Sequence, residues 1–256
     1  MSLIAVAMLT VILGGFISAG AILYAQWDRA SSSYETNESL DVVQTALQNY
    51  FVRNGRYPCP APLDAPIDGA NAAGQLFGAE VTNDCTNAAV ANDGTFKSTG
   101  VEGDGVRTGA VPVRTLSIAD EFAFDEYNHR LIYAVTEAYA VQGTTVTGNQ
   151  GDITIVDDQN RNATSQAGNI VQTVFSMGRD TNGAYDVNGN QVTPCDLSTT
   201  AGEYDLESSE NCDFTANATF KNSLNKSEND ADLFVAKVTY PPSNTIITCG
   251  ANGGAT

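Results

Sequence analysis

The sequence predicts an α+β fold in which a long N-terminal α-helix packs on an antiparallel β-sheet. Three observations predict it. The first 25 residues carry no charged side chain, and the chain then continues with apolar residues at helical spacing. Short runs rich in β-branched and aromatic residues follow in the second half of the chain, separated by turn-forming residues. Five cysteines lie in loop-rich segments, which we interpret as large, disulfide-stapled loop insertions.

Residues 1–27 form the first predicted unit, an apolar helix. About 20 apolar residues are enough to cross a bilayer. Small residues recur four apart, as in Gly14 with Ser18 and Gly15 with Ala19, which lets helix backbones approach each other closely. Trp27 and the charged residues after it mark an interface at the end of the run. No basic residue precedes the run and no cleavage motif ends it, so we expect that a leader has been removed in front of Met1.

Residues 28–256 form the second predicted unit, a globular domain that starts with the amphipathic half of the same helix, residues 28–54. Its apolar residues share one face: Leu40, Val43, Leu47, Tyr50 and Phe51. Asn54-Gly55 supplies the stop, because glycine accepts the left-handed conformation past a helix end. Three prolines at positions 58, 60 and 62 keep the helix from resuming.

The rest of the domain divides into a loop region and a sheet region. Residues 55–115 are rich in Gly, Ala, Asn and Asp and predict irregular structure. Within residues 116–256, Leu116–Phe124 has a short helical pattern, and a polar surface insertion is expected at about 180–230. Strands are expected at residues 131–136, 153–156, 170–176, 233–240 and 245–248. Because the strands are short and joined by turns, we expect an antiparallel sheet with one face on the helix.

The charge balance excludes one class of partner. Asp and Glu outnumber Lys and Arg by 30 to 12, and the net charge is −18. Phosphate backbones are bound by clustered cations, so we expect no nucleic-acid partner. The chain has no CxxC motif and a single His, which argues against a zinc site.

The cysteines beside an apolar N-terminal segment indicate export to an oxidising compartment. Spacing alone does not determine how they pair. We favour the two pairings with short loops, Cys59–Cys85 and Cys195–Cys212. Cys249 is then free or pairs between chains.

Oxygen-rich loops raise the question of a metal. Asp180, Asn182 and Asp186 lie close together in sequence, and Glu228, Asp230 and Asp232 form a second group. Calcium takes six to eight oxygen ligands, so the first three are candidate calcium ligands. Asn-Gly hairpin turns and a solvated acidic loop explain the same residues without an ion, and this interpretation is preferred. We expect no other cofactor.

We predict that the protein is not an enzyme. His129 is the only His, and no nucleophile motif of the G-x-S-x-G type is present. A structural role in a turn is the favoured interpretation of His129. Asp and Glu are numerous, but no spacing singles out a catalytic pair.

Two local motifs accompany this architecture. The run Asn54-Gly55-Arg56-Tyr57-Pro58-Cys59-Pro60 follows the helix, and Phe124–Tyr133 reads FDEYNHRLIY. Together with the helix, the disulfide-bearing loop and the sheet, they resemble the type IV pilin superfamily, which includes the pseudopilins of type II secretion. The second motif is similar to the family element D-x-W/Y-G-x-x-L-x-Y, with Asn128 in place of the usual Gly.

The resemblance implies a structural subunit that polymerises through its apolar helix into an extracellular or periplasmic type IV pilus-like filament. The implied assembly surface comprises Met1, Leu3, Ile4, Ala5, Val6, Leu9, Ile12, Leu13, Gly14, Gly15, Phe16, Ile17, Ile22 and Leu23. At position 5 the family has a Glu that pairs with the N-terminal amine of a neighbouring subunit, whereas this chain has Ala5. Assembly then relies on apolar and small-residue packing, or the subunit occupies a special place such as a filament tip.

The implied partners are further copies of the chain and, before polymerisation, the inner membrane and the pilus or secretion assembly machinery. The implied location is the inner membrane first and a cell-surface filament afterwards. The alternative from another functional class is a single-span, membrane-anchored exported binding domain, with or without dependence on calcium.

Overall fold

A computed structural model describes part of the chain: residues 35–81, 85, 93–98, 105–141, 145–147, 151–156, 170–178, 181–195, 211–215, 218–221, 237–239 and 246–248. The predictions for residues 1–34, which include the whole implied assembly surface, lie outside these residues. The same holds for Asp180, for Cys249 and for the acidic group at 228–232.

The described residues mix helices with short strands. Helix α1 covers residues 35–54 of the described chain. The shorter helices are α2 (Val113–Leu116), a 3₁₀ helix (Asp120–Ala123) and α3 (Glu137–Ala140). The strands are β1 (Phe96–Ser98), β2 (Val106–Ala110), β3 (Ile132–Thr136), β4 (Thr145–Thr147), β5 (Thr154–Val156), β6 (Gln172–Phe175), β7 (Thr219–Lys221), β8 (Lys237–Thr239) and β9 (Ile246–Thr248).

The central sheet has five strands in the order β1-β2-β3-β6-β8, and every neighbouring pair is antiparallel. The register places Ala134 opposite Thr108 on one side and Thr173 on the other. The described chain is therefore α+β with an antiparallel sheet, as predicted. Each of the five predicted strand segments contains a strand, namely β3, β5, β6, β8 and β9.

Helix α1 packs on one face of this sheet. Leu40, Val43 and Leu47, spaced three and four residues apart, are fully buried. They belong to one core cluster with the sheet residues Tyr133 and Val174. Burying each such aliphatic side chain contributes about 1.5–3 kcal/mol, so this seam is a major source of the stability of the α1–sheet contact.

The opposite face of the sheet carries a second core. Ile132 and Phe175 point into it, where they meet residues of β5 and β7, and the Phe175 and Phe220 rings are 4.9 Å apart. Strands β5 and β7 are parallel, which the prediction of antiparallel pairing did not include. A parallel pair needs a connection of a dozen or more residues, and the chain between β5 and β7 is far longer than that. The prediction that residues 180–230 are a polar surface insertion is wrong at Phe214 and Phe220, which are buried.

The predicted loop region contains two strands, β1 and β2. Their composition conceals them, because they carry Lys97, Arg107 and Gly109 instead of an apolar run. Arg107 is nevertheless buried, and its guanidinium nitrogens lie 3.7 Å from the Asp93 carboxylate and 4.0 Å from the Glu137 carboxylate. The Glu137 carboxylate also lies 2.5 Å from Lys97 Nζ. Opposite charges brought together in this way make burial of the charged groups tolerable.

The predicted helix at 116–124 is also corrected. Helix α2 ends before Ser117, whose backbone is left-handed with φ 60°. The chain then extends before the separate 3₁₀ helix. A left-handed residue interrupts the ladder of helical hydrogen bonds, so two short turns replace one helix.

Candidate functional site

The first element of the site is the exit from α1, where the Asn54–Pro60 motif lies. Gly55 has φ 69° and donates its N–H to the carbonyl of Phe51, so the helix ends where the sequence predicted. Asn54 Nδ2 donates to the carbonyl of Tyr50 at 2.9 Å. Tyr57 stacks on Phe51 with ring centroids 4.7 Å apart. These contacts fold the motif back against the helix that precedes it.

Glu80 holds the same exit from outside the motif. Its carboxylate accepts two hydrogen bonds from the Arg56 guanidinium, at 2.9 and 3.0 Å. It also accepts from the Tyr50 hydroxyl at 3.2 Å and from the backbone N–H of Cys59 at 3.0 Å. Burial and the charge of Glu80 raise the pKa of Tyr50 to about 12. Burial alone would lower the pKa of Arg56, but the hydrogen bonds and charge of Glu80 raise it overall.

Substituting Glu80 is expected to loosen this exit. We expect Glu80→Gln to lower the free energy of unfolding by about 1–2 kcal/mol, because charge-assisted bonds to Arg56 are lost in a half-buried site. Urea unfolding of the full chain in non-ionic detergent, followed by near-UV circular dichroism, measures this change. Glu121→Gln at an exposed position is the control and is expected to stay within about 0.5 kcal/mol. Equal effects of both variants would contradict the role of Glu80.

The second element is the turn at residues 124–130, which closes through a bridge between Phe124 and Arg130. Asp125 organises it. One carboxylate oxygen accepts the N–H groups of Tyr127 and His129 at 2.9 and 2.8 Å, and the other accepts the Ser176 hydroxyl at 2.6 Å. Burial raises the pKa of Asp125, although these hydrogen bonds and His129 oppose the shift.

Asn128 occupies the left-handed position of this turn, with φ 60°. Asn and Gly are the residues that adopt this conformation most readily, which accounts for Asn where the resembling family element has Gly. We expect Asn128→Gly to stay within about 1 kcal/mol of the wild-type stability, and Asn128→Val to lose about 1–3 kcal/mol because a β-branched residue is strained there. Thermal unfolding of the wild type and the two variants measures these differences in stability. A valine variant as stable as the glycine variant would contradict the proposed backbone strain.

His129 is buried and its Nδ1 lies 3.0 Å from the carbonyl of Gly178. The Ser176 hydroxyl contacts Asp125 directly, while His129 Nδ1 is 3.9 Å from that carboxylate. A Ser-His-Asp relay needs the imidazole between the hydroxyl and the carboxylate. Here the carboxylate lies between the other two, so these three side chains stabilise the turn instead of forming such a relay.

Beside this turn lies an acidic cleft of about 300 Å³, between the described start of α1 and the 3₁₀ helix. The N–H of Glu126 contacts the Thr36 hydroxyl at 3.4 Å and joins its two sides. Two aromatic residues and five carboxylates, with one hydroxyl, line it: Glu35, Glu38, Ser39, Glu121, Phe122, Phe124, Asp125 and Glu126. The cleft thus offers negative charge around an apolar patch. It was not predicted, because its residues come from two distant segments.

Two of the three candidate calcium ligands, Asn182 and Asp186, lie within the described residues. One oxygen of Asp186 accepts the N–H groups of Asn188 and Asn190 at 2.8 and 2.9 Å. Burial alone would raise the pKa of Asp186, but hydrogen bonds from Asn190 and Asn188 lower it overall. Asn182 pairs with Thr193 in an isolated bridge. Within the described ranges, no three His, Cys, Asp or Glu residues are grouped so as to hold a metal.

Arg130 is a buried cation that no sequence pattern indicated. Its guanidinium is fully buried and donates to four backbone carbonyls, those of Asp186 at 3.0 Å, Pro62 at 3.2 Å, Val187 at 3.2 Å and Ala65. It also lies over the Phe77 ring, 4.9 Å from the centroid. Burial lowers its pKa to about 10, against the opposing charges of Asp186 and Asp64. One side chain thereby joins the loop after α1 to the 186–189 turn.

Both favoured disulfides are present. Cys59 bonds Cys85, and Cys195 bonds Cys212. The second packs against the 182–183 turn: a side chain on Gly183 would place its Cβ 2.2 Å from Cys212 Cβ. Glycine is required there both by this approach and by its φ of 71°.

Comparison of the chain with family models, curated proteins and solved structures found no match. The likeness to type IV pilins therefore stays a prediction from the sequence motifs. In the part of the chain that the structure describes, no helix is both long and apolar enough to cross a membrane.

Proposed function

We propose that this protein is a structural subunit that polymerises into a type IV pilus-like filament outside the inner membrane. The observation that carries the proposal is the seam between α1 and the sheet. Leu40, Val43 and Leu47 are fully buried on the antiparallel sheet, so the amphipathic segment is committed to the globular domain. Residues 1–25 precede that segment and carry no charged side chain. Where a helix of this composition extends beyond a globular domain, a membrane or other copies must cover it.

The exit motif and the disulfides support the same proposal. A subunit anchored through one helix transmits load through the point where that helix leaves the domain. Glu80, Arg56 and the Cys59–Cys85 disulfide reinforce that point. Disulfides persist in exported proteins, which agrees with a location at the inner membrane before assembly and on the cell surface afterwards. Head-to-tail contacts between identical subunits continue as an open helix.

The test is electron microscopy of material sheared from cells that express the full chain, with antibody labelling of the protein. We expect labelled thin filaments. Ile12→Asp introduces a charge into the uncharged segment and is expected to abolish them, whereas the matched control Ile12→Val preserves them. An immunoblot of the membrane fraction shows whether each variant is retained in the cell. Wild-type protein that stays in membranes without forming filaments would contradict the proposal and favour the anchored binding domain.

A further inference from the structure

We propose that consecutive copies of this chain contact each other through α1, with Val52 and Arg53 of one copy seated in the acidic cleft of the next. The inference rests on the proposed filament function and deepens it by naming a contact between globular domains. The occupant of the cleft is a second copy of the chain.

The exposed face of α1 is asymmetric along its length. Glu35 and Glu38 are exposed at the described start of the helix, and Val52 and Arg53 are exposed at its last turn. The buried residues Leu40, Val43 and Leu47 lie on the opposite side. The two ends are about 27 Å apart at 1.5 Å per residue, so the cation of one copy cannot reach the acidic cleft of the same copy.

Arg53 differs from the other arginines that the structure describes. Arg56, Arg107 and Arg114 have carboxylate partners, and Arg130 binds backbone carbonyls. No ion pair is found for Arg53 within the described part of the chain. Its neighbour Val52 is 69% exposed, the most exposed large apolar side chain found there. A cation beside an exposed apolar side chain is suited to bind a surface that combines carboxylates with apolar side chains.

The acidic cleft has that mixed chemistry. Phe122 and Phe124 form its apolar part, and Glu35, Glu38, Glu121 and Glu126 surround it with carboxylates. At about 300 Å³ it is large enough for a valine and an arginine side chain. A base in the last turn of a helix also stabilises the helix itself, by about 0.3–1 kcal/mol. That effect concerns Arg53 and not the carboxylates of the cleft, two of which, Glu121 and Glu126, lie outside α1.

A charge-swap experiment in filament-producing cells tests the contact. We expect Arg53→Glu to lower the yield of sheared filaments about tenfold, since like charges then meet in the cleft. Adding Glu38→Arg to that variant is expected to restore the yield to within about threefold of wild type. Lys221→Glu makes the same charge change on β7, on the other side of the sheet from α1, and is expected to leave the yield unchanged. Wild-type filaments with an undiminished yield from Arg53→Glu would overturn the contact and leave the filament function standing.

A second measurement covers the case in which no filament forms. The full-length Arg53→Lys variant, prepared as a mixture of ¹⁴N and ¹⁵N chains in membranes, is treated with a carbodiimide that joins amines to carboxylates at contact distance. Mixed-isotope peptides joining position 53 to Glu38, Glu121 or Glu126 would support the contact although the filament function had failed. Absence of such peptides, with other interchain cross-links present or absent, would overturn it.

Discussion

Replacing Arg130 with methionine is expected to lower the free energy of unfolding by about 3–5 kcal/mol, the largest effect of any single substitution considered. Methionine fills much of the same volume but donates no hydrogen bond. The carbonyls of Pro62, Ala65, Asp186 and Val187 then lose a donor, and those of Pro62 and Ala65 are buried. A buried acceptor left without a partner costs about 1–3 kcal/mol.

The control is Arg114→Met. Arg114 also lies over the Phe77 ring, at 5.0 Å, but it is well exposed and pairs with Asp120 at the surface. Its loss is expected to cost less than about 1 kcal/mol. Arg130→Lys should fall between the two, because an ammonium cannot reach carbonyls on several sides of a planar guanidinium. Urea unfolding in non-ionic detergent provides the comparison, and an Arg130→Met variant within about 1 kcal/mol of wild type would refute the role of the guanidinium.

Removing the Cys59–Cys85 disulfide with paired serine substitutions is expected to cost about 3–4 kcal/mol. The bridge closes a loop with a sequence separation of 26 residues, and cross-links of that size stabilise mainly by restricting the unfolded chain. The same loop holds Glu80, so its release is also expected to weaken the exit from α1. If the Glu80 contacts are lost together with the disulfide, the loss in free energy of unfolding should exceed the value expected from loop entropy alone.

Two further variants are compared with the paired-serine protein in the measurement of stability. Cys249→Ser is the control, since Cys249 belongs to neither disulfide, and it is expected to leave stability within about 0.5 kcal/mol. Combining the paired serines with Glu80→Gln shows whether the two losses add. Thermal unfolding under non-reducing conditions reports all the variants. A paired-serine protein as stable as wild type would mean that the loop is held by its other contacts.

Several features of the fold were predictable because they rest on local chemistry. The buried face of α1 follows from apolar residues three and four apart, and its end follows from Asn54-Gly55. The strands around Ile132–Thr136 and Gln172–Phe175 are short apolar runs between turn residues. The two disulfides follow from a preference for short loops. Apart from the disulfides, whose cysteines are 26 and 17 residues apart, neighbouring residues alone supply the signal.

Other features of the fold were not predicted, because residues that are buried in the structure lie in polar or charged stretches of sequence. Arg107 in β2 looks like a solvated loop residue, yet Asp93 and Glu137 neutralise it in the interior. Phe214 and Phe220 lie in a polar segment, yet they complete the second core.

By itself the sequence determined where the chain is apolar, where α1 ends, which five apolar segments contain strands, and which motifs resemble those of filament subunits. These properties depend on periodicity and turn chemistry over a few residues. Only the tertiary structure decided that Arg130 joins two loops through their carbonyls, that Glu80 holds the helix exit, and that carboxylates from two segments surround one cleft. Those arrangements bring together residues tens of positions apart, and their energies come from burial and hydrogen-bond geometry that exist only once the chain is packed.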